Sequence, residues 1–368
     1  MPLWRDMGRR LLTLQRLIAG LRKKWLDWTG RSGQIYFHHR VAEYRDMWRA
    51  VAKELGGEFT SLADDLWEVE VGSVRTRMHN HQTEFDNPAV LGLAGKKAAV
   101  HRLLGRAGLS VPQHAVFSLA DLERAYRFHE AHPRGCVVKP ANGYGGQGVT
   151  THVQQTSEVR KAAILASLYS SELLIEAQIP GESYRLLILE GKMVHAVCRR
   201  GPRLKGDGVS AVRRLIEAEN ARRRGSGHSG LDIDRDCLFT LAYQGLSPDS
   251  IAGEGKEFLV KSVNDAARKY FEVRTVYNET VTDLICDSLR KDAECAARLV
   301  GSDFLGVDVI TTDPAVPLHR SGGVINEVNT TPALHHHYDT PRARYPEAAL
   351  HVVRAILRRK TPTVTGAC

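Results

Sequence analysis

The segment Val137-Val138-Lys139-Pro140-Ala141-Asn142-Gly143-Tyr144-Gly145-Gly146-Gln147-Gly148-Val149 constrains this chain more than any other. Glycine at 143, 145, 146 and 148 makes a loop whose N–H groups can close on phosphate oxygens, and Lys139 ends the apolar run before it. Gly143, Gly145 and Gly148 also fit the G-x-G-x-x-G spacing of dinucleotide sites. Such a site needs a helix after the loop, its N-terminus facing the pyrophosphate. Here Val149-Thr150-Thr151-His152-Val153 is β-branched and alternating, which predicts strand, glycine loop, strand. That order suits a flap over a nucleotide, with a plain glycine-rich hairpin as the alternative. No Gly-Lys-Ser or Gly-Lys-Thr closes the loop, and no His-Arg-Asp or Asp-Phe-Gly segment accompanies it, which argues against Walker and protein-kinase sites.

With 368 residues, 43% of them hydrophobic, the chain can bury a large core divided among two or three domains. Its cysteines, at 136, 198, 237, 286, 295 and 368, form no C-x-x-C pair and no zinc spacing. Dispersed thiols, no long apolar run and no cleavable leader pattern predict a cytoplasmic protein away from membranes. The net charge of +9 suits polyanions such as ATP or peptide carboxylates, and no nucleic-acid motif accompanies it.

Trp4, Met7, Leu11, Leu14, Ile18, Leu21, Trp25 and Trp28 recur at spacings of three and four, the signature of a helix with a 3.5-residue repeat. Its other faces carry Arg9, Arg10, Arg16, Arg22, Lys23 and Lys24. The helix could be an arm packed on its own domain, a dimerising element giving a homodimer, or a membrane-surface helix. Asp6 and Asp27 and the narrow stripe disfavour the last. Gly30 to Gly33 is expected to end it.

Further elements follow the same reasoning. We expect a helix from Arg40 to Leu55, strands over Phe59 to Leu66 and Trp67 to Met78, and a helix from Leu91 to Gly108 bearing Lys97. Strands over Tyr184 to Leu189 and Lys192 to Val197 are joined by a Glu190-Gly191 turn. A helix from Val212 to Asn220 precedes an arginine- and glycine-rich loop over 222–232. A strand from Phe258 to Val263, a helix from Thr282 to Val300, strands at Val307 to Thr311 and Gly323 to Val328, and a helix from Pro346 to Arg359 complete the reading.

Asp308 lies within one of these strands, and Glu327 and Asn329, two apart, share a face of another. Hard oxygen ligands on apolar strands suit Mg²⁺, which binds one or two carboxylates and completes its shell on nucleotide phosphates. Arg203 and Lys205 are candidates for holding a substrate carboxylate. His335-His336-His337, read as extended, cannot all ligate one ion, so substrate contact through His335 or local packing is expected instead.

These motifs together resemble the ATP-grasp superfamily. The resemblance runs through Lys97, Arg102-Leu103-Leu104, Ala107 to Pro112, Val137 to Pro140 with its glycine loop, Leu174-Ile175-Glu176, Pro180-Gly181, Gly306-Val307-Asp308 and Asn326 to Asn329. Within that superfamily, Arg199 with Gly206-Asp207-Gly208 and Val212 to Asn220 is similar to cyanophycin synthetase and fused glutathione synthetases. The resemblance implies an α/β (α+β) ATP-grasp fold carrying a small N-terminal α/β domain and a helical arm. It implies boundaries at 1–30 for the arm, 31–90 for the small domain, 91–181 for a linker helix and the small lobe, 182–360 for the large lobe, and a tail at 361–368.

It also implies roles. Lys97 and Lys139 would contact ATP phosphates under a loop that includes Gly143, Gly145, Gly146 and Gly148, with Glu176, Gln178 and Ile179 at the adenine. Asp308, Glu327 and Asn329 would bind Mg²⁺ or Mn²⁺, and Arg185 and Arg199 would face the reacting phosphate and carboxylate. The implied activity is an ADP-forming carboxylate-amine ligase acting through an acyl phosphate on small-molecule acids and amines such as amino acids or short peptides. A ligase that extends a protein tail and a nucleotide-binding scaffold without turnover are the alternatives.

Some positions depart from the family pattern. Ser183 replaces a usual acidic residue, Asn264 to Tyr270 replaces an Asn- and Gly-rich segment, and Pro332 to Tyr338 replaces a small Pro-Gly turn. The last two changes fall where an acyl or acceptor substrate is expected.

Overall fold

The computed structural model describes residues 2–28, 34–85, 87–143, 146–225, 230–261, 278–338 and 343–361. The expected helix break at Gly30 to Gly33, loop residue Gly145, the departure at Asn264 to Tyr270, and 362–368 of the tail lie outside them. The chain divides into two compact units. The first comprises Met1–Ile35, Pro112–Gln178 and Arg199–Asn278, and the second Tyr36–Val111, Ile179–Cys198 and Glu279–Cys368.

In the first unit, strands His114–Phe117, Leu173–Ala177, Cys136–Pro140 and Thr150–Val153 form an antiparallel sheet in that order. Strand, glycine loop, strand is therefore the observed arrangement, with Cys136 opposite Val153 and Val138 opposite Thr150. Helices Leu122–Glu130 and Thr156–Ala166 close the core over Val138, Ile175, Leu173 and Val153. The N-terminal helix spans Pro2–Trp28 and lies against this unit. A second core gathers Val212, Ile216, Leu241 and Phe258 beside the ribbon of Arg203–Lys205 and Glu257–Leu259.

The second unit has a meander of Glu58–Ala63, Leu66–Val71 and Val74–His79. It also has a five-stranded sheet in the order Glu279–Thr280, Lys192–Arg199, Glu182–Leu189, Phe304–Thr311, Val324–Thr330. Alternation along Glu182–Leu189 decides what covers each face. Leu186 and Ile188 join helices Lys97–Arg106 and Asp287–Val300 in one core, while Leu187 and Leu189 join Glu347–Lys360 in another. The hairpin turn has φ of 50° at Glu190 and 74° at Gly191, the paired positive values of a type I′ turn.

Several expected boundaries need correction. The run Trp67 to Met78 is two strands, because Gly72, at φ 61°, turns the chain between Val71 and Val74. The helix over 91–108 is two, Pro88–Ala94 and Lys97–Arg106, so Lys97 opens the second. Thr282 to Val300 is interrupted at Ile285, which is extended, and Cys286 caps the helix proper. Arg222, Arg223 and Arg224 are not loop but the last turn of helix Val212–Gly225, where Glu219 pairs with Arg222 at 2.7 Å. The strand over Phe258 to Val263 is Glu257–Leu259 among the described residues. Helix Arg235–Ala242, capped by the Asp234 carboxylate, has no counterpart in the expected elements, because eight residues are too few to establish a helical period.

Candidate functional site

The residues expected at a site fall into one group in each unit. In the first, Lys139 and Glu176 sit on neighbouring strands, with Val137 opposite Glu176 and Lys139 opposite Leu174. Both side chains are buried, and Lys139 Nζ lies 2.7 Å from Glu176 Oε2. Glu176 is thus held as the counter-charge of Lys139, a contact that spacing alone does not give.

The loop glycines have positive φ: 129° at Gly143, 72° at Gly146 and 70° at Gly148. A Cβ at Gly148 would meet the Tyr169 ring at 2.7 Å and Pro140 at 3.1 Å, so only glycine fits there. The Gln178 side chain accepts from the His152 N–H at 2.9 Å. His152 is itself a non-glycine residue at φ 55° and stacks on Tyr243, with centroids 3.8 Å apart and planes 5° from parallel. Burial lowers its pKa, keeping the ring neutral. Arg203 and Lys205 lie on the exposed ribbon, where Lys205 pairs with Glu257 at 3.5 Å, and Arg199 ends its strand half-buried.

In the second unit, strand Phe304–Thr311 runs between Glu182–Leu189 and Val324–Thr330 with Asp308 opposite both Arg185 and Glu327. Arg185 donates from Nε and Nη2 to the two Asp308 oxygens at 2.6 and 2.7 Å, and Asn329 Nδ2 donates to Asp308 Oδ2 at 3.2 Å. Lys97, in the first turn of its helix, reaches Glu327 Oε1 at 3.2 Å. Burial alone would lower the Arg185 pKa, but the charge and hydrogen bonds of Asp308, with Glu327 and Tyr44, hold it above its ordinary value. Ile179 also belongs to this unit and is half-buried.

Two carboxylates and an amide oxygen-bearing side chain thus meet in one register. Each carboxylate oxygen offers two lone pairs, so a carboxylate engaged by a guanidinium can also ligate a cation. The donor set fits a hard divalent cation that takes its other oxygens from phosphate and water. Among the described residues, no group of three or more His, Cys, Asp or Glu side chains could hold a metal by itself.

The histidine triplet is not extended. Leu334–His336 is a 3₁₀ turn, which lets His335, His336 and His337 all be buried. His335 Nδ1 lies 2.7 Å from the Tyr44 hydroxyl, and His337 Nδ1 lies 3.0 Å from His195 Nδ1. Tyr44 and His195 carried no signal in the sequence, since each meets its partner only through the tertiary fold.

No family model matches the chain. A cyanophycin synthetase from Nostoc sp. (strain PCC 7120) is 29% identical over 330 residues, which cover 84% of this chain and 35% of that protein. A glutathione biosynthesis bifunctional protein from Streptococcus thermophilus is 27% identical over 306 residues, 78% of this chain and 38% of its own length. A solved bifunctional glutathione synthetase from Pasteurella multocida superposes with a TM-score of 0.54 at 21% identity, over 84% of this chain and 43% of that one. The superposition defines the fold class: the chain has an α/β ATP-grasp fold. It is a relative of cyanophycin synthetases and bifunctional glutathione synthetases, and spans little more than a third of the curated proteins' length, 35% and 38%. No helix among the described residues is long and apolar enough to cross a membrane.

Proposed function

We propose that this chain is an ADP-forming carboxylate-amine ligase that makes an amide bond between small molecules, an amino acid or short peptide on at least one side. The observation that carries the proposal is the register of Asp308 with Arg185 and Glu327, which brings two carboxylates and a buried guanidinium together at one place on a sheet. The sequence relatives support it through the amide-forming synthetases they name.

A carboxylate is a poor electrophile. In the proposed reaction its oxygen attacks the ATP γ-phosphorus, ADP leaves, and the acyl phosphate is displaced by an amine with release of phosphate and a proton. Lys139 and the backbone of the glycine loop are assigned to phosphate oxygens, Gln178 and Ile179 to the adenine, and Glu176 pairs with Lys139 at 2.7 Å. Lys97 and Glu327 are fixed against each other, so Lys97 presents its charge at a set position. Arg185 fixes the Asp308 carboxylate, while Arg199 is assigned to the reacting carboxylate. Asp308, Glu327 and Asn329 would hold Mg²⁺ or Mn²⁺, which when bound neutralises charge on the transferring phosphoryl group. His335 is assigned to the acyl or acceptor pocket, and Arg203 and Lys205 to capture of a substrate carboxylate. The cytoplasm is the proposed compartment, supported by the free thiols of Cys136, Cys198, Cys237, Cys286 and Cys295.

The test is to incubate the protein with ATP, Mg²⁺ and pools of amino acids and short peptides, follow phosphate release, and seek products whose mass equals two substrates less one water. Phosphate release with such a product is expected. ATP binding without release from any pool, or release only when a protein tail is supplied, would overturn the small-molecule reading.

A further inference from the structure

The N-terminal helix meets its own unit with the wrong side for an ordinary amphipathic arm. Arg16 donates to the Ser167 carbonyl at 3.3 Å, Arg160 donates to Gln15 at 3.0 Å, and Lys23 lies 5.6 Å from the centre of the Tyr169 ring. Leu12 joins the core below, and Ala19, Gly20 and Lys23 are the other half-buried positions. The apolar stripe faces away. Leu11, Leu14, Ile18, Leu21 and Trp25 are 48%, 52%, 57%, 59% and 50% exposed, and Leu17 beside them is 59% exposed.

We propose that this stripe is the seam of a parallel, two-stranded coiled coil with a second copy of the same chain. The spacing alternates four and three without a break from Met7 to Trp28, a strict seven-residue repeat. A helix lying in a lipid surface needs a broad apolar face and has no use for that strict repeat. Leu11, Ile18 and Trp25 occupy the a positions and Leu14 and Leu21 the d positions, and β-branched Ile at a with Leu at d favours two strands.

The flanking charges choose the orientation. Arg10, Leu17 and Lys24 occupy g, and Gln15 and Arg22 occupy e. In a parallel pair Arg10 faces Gln15 of the other copy and Leu17 faces Arg22, so no like charges meet. In an antiparallel pair Arg10 would face Lys24, which is repulsive. The area is adequate: six half-exposed apolar side chains with on the order of 100 Å² open on each give roughly 1,200 Å² over two copies, the lower end of stable interfaces.

Sedimentation equilibrium on the full chain tests this. A mass twice the 40.9 kDa of one chain is expected, falling to one chain in the Leu14→Glu/Leu21→Glu double variant and unchanged in Leu238→Glu, an exposed leucine outside the stripe. Because a charged variant can misfold, Leu14→Cys supplies a second reading. Under mild oxidation it should cross-link copies through position 14, above any background from the unsubstituted protein, since equivalent d positions touch only in a parallel pair. A monomeric parent overturns the proposal, including one that sediments with phosphatidylserine vesicles. A folded double variant that remains dimeric overturns it as well.

Discussion

Arg185 and Asp308 stand opposite each other on adjacent strands, and one guanidinium fork occupies both oxygens of one carboxylate in the interior of the sheet. Removing one member strands the other as an uncompensated buried charge. Asp308→Asn should therefore lower unfolding free energy by about 3–5 kcal/mol, and Asp308→Leu/Arg185→Met should recover much of that loss. Urea denaturation of the three proteins is the measurement. If Asp308→Asn is as stable as the parent, the pair carries no such charge balance.

Glu327 is half-buried and meets the buried Lys97 at 3.2 Å, and glutamine keeps its size and an oxygen that can accept from the lysine. On the proposed activity, Glu327→Gln should reduce kcat on the order of 100-fold or more, with a stability loss of about 1–3 kcal/mol from the weakened pairing of Lys97. Steady-state kinetics beside a thermal melt separates the two effects. Full activity in the variant would remove Glu327 from the cation site.

His81 lies beside Tyr44, with ring centroids 5.7 Å apart, and burial, with a smaller contribution from His79, pushes its pKa down to about 4. The unfolded chain takes up a proton near the ordinary value of 6.5, the folded one only near 4. Stability from this group is complete above pH 6.5 and is lost as pH falls toward 4. Between pH 7 and pH 5 the loss should be about 2 kcal/mol. His81→Phe should flatten that part of the stability profile, and an identical slope in both proteins would contradict the assignment.

Gly148 and Gly143 both have positive φ, yet only Gly148 is crowded, by Tyr169, Pro140 and the Ala166 backbone. Gly143→Ala meets open space and carries backbone strain alone. Gly148→Ala adds steric overlap and should be the more destabilising of the two, with a total cost of about 1–3 kcal/mol. Hydrogen exchange in strands Cys136–Pro140 and Thr150–Val153 would report the difference. Equal protection in the two variants would show that the neighbours yield freely.

The glycine loop between two strands was legible because β-branched alternation and glycine each have a local physical cause, and the Glu327 and Asn329 spacing named a shared face. Spacing does not name what lies opposite. Arg185 and Asp308 are 123 residues apart, and Tyr44 and His335 are 291 apart, so only strand register and tertiary packing could join them. The arginines at 222–224 misled for a related reason: a basic run is read as solvated loop, although Arg223 is 2% exposed and the run closes a helix. The histidine triplet misled because a 3₁₀ turn redirects side chains that an extended strand would alternate.

The order of strands in the five-stranded sheet has a consequence during synthesis. Glu182–Leu189 leaves the ribosome more than a hundred residues before Phe304–Thr311, the strand that must pair with it on one side. Until then that edge of the hairpin is open, an apolar template able to capture another nascent chain. Completion of the sheet waits for Phe304–Thr311 and Val324–Thr330, so this unit cannot close on its central hairpin alone.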